Sequence, residues 1–514
     1  MLSMSLFLLG LIVSAVVVYY SIQASHRFGV VDQPGGHKAH DTVTPFVGGV
    51  GILAAMLTGG YVVSQYFPSF GDRIYVLLGG VLVLFITGFA DDILQLNYKI
   101  RFGIQAAVGL AMVFLGGVEI SDLGQLLSGD LLSLGYLAVP ITLLATIGAI
   151  NALNMIDGID GLSGSLSIVS LLLIALAVYI SGDPAYFSLI VIIAGGVAGF
   201  LCFNLRYLGW RRARCFMGDN GSMQLGFVFA WLLSDLSQSN ESVRAITPIT
   251  TLWLFAVPLI DTLCVMLRRM WMGRSPFHAD RNHLHHLFLR AGFRVQDAVL
   301  VLALVQFCFG AIGLLGMYAG VDELVMLGAF LFVFAVCFFI VLRPWRLVPL
   351  LRRIHRALGM TSVHAVGVHV AGLSEQKLGP FADMLNRCIG PHVDFRFRAY
   401  RTDGDAGPSC YGVIQLLGDD QVHTDQAVLA CALERFRLKQ GRFPERLEEL
   451  TPAYLDRIPP DLIKGGALHY QRPDPQRFVL YSIGWNGTDD DGTPGLNDRQ
   501  RLDPTTGDWV WRTP

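Results

Sequence analysis

The sequence predicts an all-α polytopic membrane protein of about eleven transmembrane helices followed by a small α+β soluble domain, and three observations lead there. Hydrophobic residues make up 53% of the 514 and charged residues only 15%, with a mean hydropathy of +0.51, a balance outside the range of ordinary soluble proteins. Apolar segments of about 16 to 22 residues, the length that a bilayer core demands, recur from Met4 to the run that begins at Glu323. Past about Met360 no further spanning segment follows, and that last stretch is polar throughout.

The stretch Leu2 to Ile22 has no basic residues ahead of it and no small-residue cleavage site, so it is expected to be a retained first span rather than a signal peptide. Further spans begin near Pro45, Ile74, Phe102, Leu131, Ser165, Ala185, Met223, Ile246, Gln296 and Glu323, which makes eleven. The one near Met223 is short and ends early, at Asp235. Eight cysteines show no CxxC pair and no metal-ligand spacing, and five lie in or beside apolar segments; they are expected to be reduced, packed thiols.

Orientation follows from the basic residues of the loops. When the segments between spans are assigned to alternate sides, nineteen Lys and Arg residues fall on one side, including Arg27, Lys38, Lys99, Arg101, Arg206, Arg274 and Arg281, and only Arg73 and Arg244 on the other. That bias puts the amino terminus outside and the carboxyl tail inside, and agrees with an odd number of spans. The basic amphipathic stretch Arg343 to Gly359 after the last span is expected to lie at the cytoplasmic headgroups, with the soluble part beginning beyond it. The net charge of −2 averages over this uneven distribution, and no nucleic-acid partner is expected.

Five loops on the basic side carry nearly every unusual polar residue near the membrane: loop one with "DQPGGHKAHDTVTPFVGG", loop two with "GFADDILQLNYKIRFGIQ", loop three with "NALNMIDGIDGLSG", loop four with "RRARCFMGDNGS" and loop five with "RSPFHADRNHLHH". Asp91 and Asp92 follow the apolar run "VLVLFITGFA", where two adjacent acids in low dielectric need a cation or a proton. In "NALNMIDGIDGLSG", Asn151 to Gly164, Asp157 and Asp160 carry no Lys or Arg to balance them; they share a face if the segment is helical, while Gly158 and Gly161 make a turn equally compatible. Asp219 sits in "MGDNGS" beside glycines that permit close backbone approach. Carboxylates converging from three loops suit a hard divalent ion such as Mg2+, with Mn2+ as the alternative. The same face adds Lys38, His40, Arg281 and the cluster His283, His285, His286, so metal and cations together imply phosphate chemistry. Without a cysteine or a matched partner motif, "HLHH" is better suited to holding a pyrophosphate than to zinc.

Taken together, "ADDILQL…RFGIQ", "NALNMIDGIDGL", "FMGDNGS" and "SPFHADRNHLHH" resemble the paired-aspartate, N-x-x-N-x-x-D-G-x-D-G-L, M-G-D-x-G-S and histidine loops of the polyprenyl-phosphate N-acetylhexosamine-1-phosphate transferase family. The resemblance covers residues 1 to about 345, and the histidine loop is more similar to the branch that makes undecaprenyl-pyrophosphate GlcNAc than to the enzyme that transfers phospho-MurNAc-pentapeptide. It implies Mg-dependent transfer of N-acetylglucosamine-1-phosphate from UDP-GlcNAc to undecaprenyl phosphate, with UMP released, as the first step of a cell-envelope polysaccharide such as O-antigen. Other UDP-N-acetylhexosamines remain alternative donors.

Carried onto this chain, the resemblance makes Asp91, Asp92 and Asp219 catalytic, with Asp92 and Asp219 on the metal and Asp91 toward the lipid phosphate. Asn154, Asp157 and Asp160 would bind nucleotide or secure the metal shell, Arg281, His283, His285 and His286 the diphosphate and sugar, and Lys38 and His40 the lipid phosphate. The implied location is the bacterial cytoplasmic membrane, and a homodimer is compatible with it. Asn220 is a departure, since close relatives often have Ala there. A transporter would need polar residues at midspan in two related halves, which this chain lacks; an inert membrane scaffold would tolerate loss of Asp91, Asp157 and Asp219.

The domains expected are 1–345 for the transferase, 346–420 for a juxtamembrane helix and an unassigned connection, and 421–514 for a soluble domain. In the last, Ala432 to Leu450 is an amphipathic helix broken by Gly441 and Pro444, followed by a strand pair, "ALHYQRP" and "FVLYSIGWNG". This part is similar to the globular domain of type II secretion major pseudopilins, whose loop binds calcium. The cytoplasmic placement makes Asp489, Asp490, Asp491 and Asp498 a solvated loop rather than an ion site, and leaves an accessory or docking role whose partner is unknown.

Overall fold

A computed structural model describes residues 2–28, 44–126, 131–206, 212–238, 244–273, 275, 283–291, 293–342, 347, 350–351, 354, 365–368, 399–402, 409–415, 421–455, 458, 468–482, 489–496, 502–507 and 509–512. The chain divides into two compact units, Met1–His285 with Val295–Leu342, and His286–Arg294 with Arg343–Pro514.

The first unit is helical. Its elements are α1 (Leu2–Phe28), α2 (Gly48–Tyr66), α3 (Arg73–Leu94), α4 (Tyr98–Phe114), α5 (Ala138–Ile156), α6 (Leu162–Ser181), α7 (Pro184–Asn204), α8 (Gly218–Ser237), α9 (Pro248–Leu254), α10 (Ala256–Trp271), the start of α11 (Leu284–Arg290), α12 (Val295–Tyr318) and α13 (Glu323–Leu342). Helix stands at each place where a span was expected. Eight of these helices are long and apolar enough to cross a membrane, and up to nine if the bent pair α9–α10 counts as one. The remaining two expected spans correspond to α4, which is 17 residues long, and α8, which is 20 but more polar. Polarity costs α8 little because α2, α3 and α5 enclose it, so that Phe227, Phe229 and Trp231 meet protein instead of lipid.

Helix α7 is the other core element, packed by α1, α2 and α6. Glycines let α1 and α7 meet backbone to backbone: a Cβ on Gly195 would stand 2.1 Å from the Phe7 carbonyl oxygen, and one on Gly10 would stand 2.1 Å from that of Ile192. Between α9 and α10 the axis turns by 84° at Phe255. The backbone groups released there are taken up by the buried Gln306 of α12, whose Oε1 accepts from Val257 N–H at 2.9 Å and whose Nε2 donates to the Leu254 carbonyl at 2.8 Å. Pro258 lies in the first turn of α10, where a missing N–H is harmless. The two arginines that the charge pattern sets apart, Arg73 and Arg244, each donate to an acid, Asp235 and Asp122, and Asp235 also accepts from Tyr186.

In the second unit β1 (Ala365–Val368), β2 (Ala399–Thr402) and β3 (Ser409–Gln415) form an antiparallel sheet of order β1-β3-β2. A helix, α14 (Gln421–Gln440), ends before Gly441, and a short 3-10 turn, Leu447–Leu450, takes up the rest of the segment expected as one broken helix. The expected strand pair is β4 (His469–Asp474) against β5 (Arg477–Ser482); β8 (Trp509–Arg512) pairs along the other side of β5, and β6 (Pro494–Leu496) pairs with β7 (Leu502–Gly507). Leu429, Leu433 and Phe436 of α14 pack with Phe443, Leu450 and Leu480 into one core. The basic stretch 343–359 lies largely outside the described residues, as does Asp498.

Candidate active site

The last turn of α3 carries both paired acids, and the three-residue link to α4 decides what they face. Asn97 caps α4 by accepting from Lys99 N–H at 3.0 Å, which brings Arg101, one turn in, over Asp91. The buried Asp91 accepts from Arg101 Nη1 at 2.6 Å and, through its other oxygen, from Leu96 N–H at 2.7 Å. Asp92 turns toward the beginning of α8. Its oxygens accept from Asp219 N–H at 3.0 Å, Asn220 N–H at 3.3 Å and Asn220 Nδ2 at 2.7 Å, a carboxylate at the donor-rich end of a helix. Gly218 enters that helix at φ +75, a conformation that glycine adopts without strain.

Asp219 is partly open, its side chain 33% exposed against 5% for Asp91 and 11% for Asp160. Asn154 of α5 donates to its Oδ1 at 2.7 Å, and Arg101 Nη1 stands 3.6 Å from its Oδ2. The same Asn154 donates to Ser222 Oγ at 2.9 Å and accepts from Arg101 Nη2 at 3.2 Å. Loops two, three and four therefore share one hydrogen-bonded group. The end of loop one joins them through backbone pairing, Phe216 N–H to Pro45 O at 2.8 Å and Gly48 N–H to Phe216 O at 2.9 Å.

Residues 157–161 form a turn rather than a continued helix, and this separates the two acids of loop three. Asp157, at the end of α5, receives no hydrogen bond from any described residue; burial first, then the negative charges of Asp219, Asp92 and Asp160, push its carboxyl up to about 8. Asp160 is held elsewhere. Its Oδ2 accepts from Arg206 Nε and Nη2, each at 2.7 Å, and from Ala213 N–H at 3.1 Å, tying loop three to loop four.

The histidine loop reaches the group from α10. His283 Nδ1 lies 2.8 Å from Oδ2 of Asp261, which also accepts through Oδ1 from Leu284 N–H at 2.8 Å. The His283 and His285 rings are stacked, 5.7 Å apart and within 9° of parallel. His285 packs on the turn of loop three so closely that a Cβ on Gly158 would stand 2.3 Å from its Nε2. His286 begins the second unit and is half-buried; Lys38, His40 and Arg281 lie outside the described residues.

Asp261 escaped the sequence reading, although a lone acid inside the apolar run "LFAVPLIDTLCVML" is a signal of its own. Among the described residues no three His, Cys, Asp or Glu side chains are drawn together as a ready metal shell. The donor chemistry nevertheless fits a hard cation: a partly open Asp219, and an Asp157 that burial and then its neighbours' negative charge push toward the neutral form. A cavity of about 790 Å3 adjoins this group, lined by apolar side chains of α4, α5, α8, α9 and α10 together with Arg101, Asn154, Arg269 and His283.

The family profile of glycosyl transferase family 4 matches residues 74–237, the stretch that holds Asp91, Asp92, Asn154, Asp157 and Asp219. Over 342 residues, 66% of this chain and 91% of the relative, the sequence is 35% identical to the undecaprenyl-phosphate alpha-N-acetylglucosaminyl 1-phosphate transferase of Escherichia coli strain K12. The chain belongs to glycosyl transferase family 4. Enzymes of the same name from Yersinia pestis, 35% identical over 350 residues with 94% of the relative covered, and from Haemophilus influenzae, 35% identical over 333 residues with 91% covered, match as well. As a member of this family the protein is a multi-pass membrane enzyme of the phosphotransferase type.

Proposed function

We propose that this family 4 transferase moves N-acetylglucosamine 1-phosphate from UDP-GlcNAc to undecaprenyl phosphate, the initiating step of a bacterial cell-envelope polysaccharide. An oxygen of the lipid phosphate attacks the sugar-linked phosphorus of UDP-GlcNAc, the bond from that phosphorus to the bridging oxygen breaks, and UMP leaves, so that undecaprenyl-pyrophosphate-GlcNAc remains. The observation that carries the reading is the meeting of an acid group with an apolar cavity through the shared residues Arg101 and Asn154, since one substrate is a charged diphosphate and the other a lipid. The relatives' name points to the same lipid acceptor and the same transferred group.

Within this reading the chain works mostly by positioning and charge neutralisation, which is what phosphoryl transfer needs. Mg2+, or Mn2+ in its place, supplies neutralisation of the diphosphate when bound; Asp219, with Asp157 and Asp92 beside it, would hold it. Asp92, whose oxygens receive three donors from the start of α8, acts chiefly by fixing Asp219. Asp91, expected to face the lipid phosphate, acts through Arg101, which it aims at Asn154 and Asp219. Asp160 belongs to the frame of the site through Arg206, and His283 and His285 stand at the side of the diphosphate. Eleven spans, with α4, α8 and the α9–α10 pair among them, the amino terminus outside and the tail in the cytoplasm, put the loops on the side where UDP-sugars are made. The soluble domain is accessory to this reaction.

Purified protein given UDP-GlcNAc, undecaprenyl phosphate and Mg2+ is expected to release UMP, to stop when lipid or metal is withheld, and to lose on the order of 100-fold in rate as Asp219→Asn. Release with a different UDP-N-acetylhexosamine would correct the donor. Silence with every donor from folded protein would overturn the reading.

A further inference from the structure

We propose that Asp261 is a positioning residue for this reaction: its buried carboxylate holds the His283 ring in the form protonated at Nδ1 and so sets the stacked pair His283–His285 against the Asp157 loop. The chemistry rests on the transferase reading above, while the arrangement rests on geometry alone.

Asp261 is 0% exposed in the apolar α10. A carboxylate there is costly unless donors meet it, and among the described residues its two oxygens are met by one ring nitrogen and one amide of the same segment, His283 Nδ1 and Leu284 N–H, both at 2.8 Å. Since a carboxylate only accepts, Nδ1 must carry the hydrogen. That leaves Nε2 an acceptor in the neutral ring and a second donor in the imidazolium, and only the imidazolium can donate to a phosphate oxygen. Two contacts to adjacent residues also fix the ring against rotation, much as a carboxylate orients a metal-bound or catalytic imidazole.

The consequence extends past His283. Its ring lies parallel to that of His285, and His285 rests on Gly158, next to Asp157. His283 also lines the cavity that Arg101 and Asn154 share with the acid group. One acid on the limb of the broken span beyond Phe255 therefore registers the histidine loop against both the acid loop and the lipid cavity.

A merely structural Asp261, capping the start of α11, would change the folded fraction and nothing else. The tests are chosen to separate the two roles. Solid-state nitrogen-15 spectra of histidine-labelled protein in lipid, with His283 assigned by its disappearance in His283→Gln, are expected to show Nδ1 protonated in the wild type. In Asp261→Asn the amide can still accept from Leu284 while presenting an N–H to the ring, so His283 is expected to move to the Nε2–H form. There kcat is expected to fall on the order of 100-fold, with KM for UDP-GlcNAc changed less than threefold and thermal unfolding close to wild type.

A wild-type ring with bare Nδ1 and protonated Nε2 overturns the inference, and so does a folded Asp261→Asn with kcat within twofold of wild type. Should Asp261→Asn fail to fold, the wild-type spectrum still decides. A wild type that releases UMP but shows the bare Nδ1 overturns this inference alone, whereas one silent with every donor overturns the transferase reading and this role with it.

Discussion

At Arg101 one guanidinium donates to Asp91 through Nη1 at 2.6 Å and to Asn154 through Nη2 at 3.2 Å, while Nη1 also stands 3.6 Å from Asp219. Lysine keeps the charge but not the fork, so Arg101→Lys is expected to lower kcat/KM roughly 10- to 100-fold with the fold intact, and Arg101→Ala to lower it further. Steady-state UMP release from both variants checks the order. Equal kinetics in wild type and lysine variant would mean that only the charge matters. Asp157 and Asp219 were legible in the sequence because the bilayer edge makes any unbalanced acid conspicuous. What each acid touches was not legible: Asp160 looks like its twin three residues earlier, yet it is taken by Arg206, 46 positions away. Asp261 was within reach of the same rule, but it lay inside a predicted span and its histidine 22 positions on, in another loop.

At the scale of elements, hydrophobic run length located the helices, since spanning a bilayer is a local requirement on consecutive residues. It could not reveal the 84° turn between α9 and α10, which depends on a glutamine from a different helix. Gln306→Leu strips partners from Val257 N–H and the Leu254 carbonyl and is expected to cost about 2 kcal/mol. A fall of several degrees in thermal unfolding in detergent would express it; an unchanged transition would show that the elbow is held by packing alone. Helix α8 illustrates the opposite limit of sequence reasoning. The sequence makes this span short, ending early at Asp235; the helix is 20 residues long, and its surroundings, protein on nearly every side, explain its polarity. Asp235 at its end is tolerated because Arg73 and Tyr186 meet it.

For the molecule as a whole, the division into a helical unit and a second unit with a core of its own leads to a test in the latter. Cys431 of α14 is buried, and that burial, opposed weakly by Arg435, pushes its thiol up to about 12. It therefore stays protonated throughout the neutral range, and alkylation of Cys431 at pH 8 is expected only after unfolding, with mass spectrometry of the native and denatured protein as the measure. Rapid native labelling would mean that α14 does not pack on the strands.

From sequence alone came the membrane class, the approximate places of the helices, the identity of the acids and the family, because apolar run length, charge bias and motif spacing are properties of neighbouring residues. Only the tertiary structure decided that Asp92 meets Asp219 across 127 positions, that Asn154 meets Asp219 across 65, and that Asp261 holds His283. Carboxylates near a membrane must find donors, but a chain does not record in its local pattern which distant donor folding will bring to them.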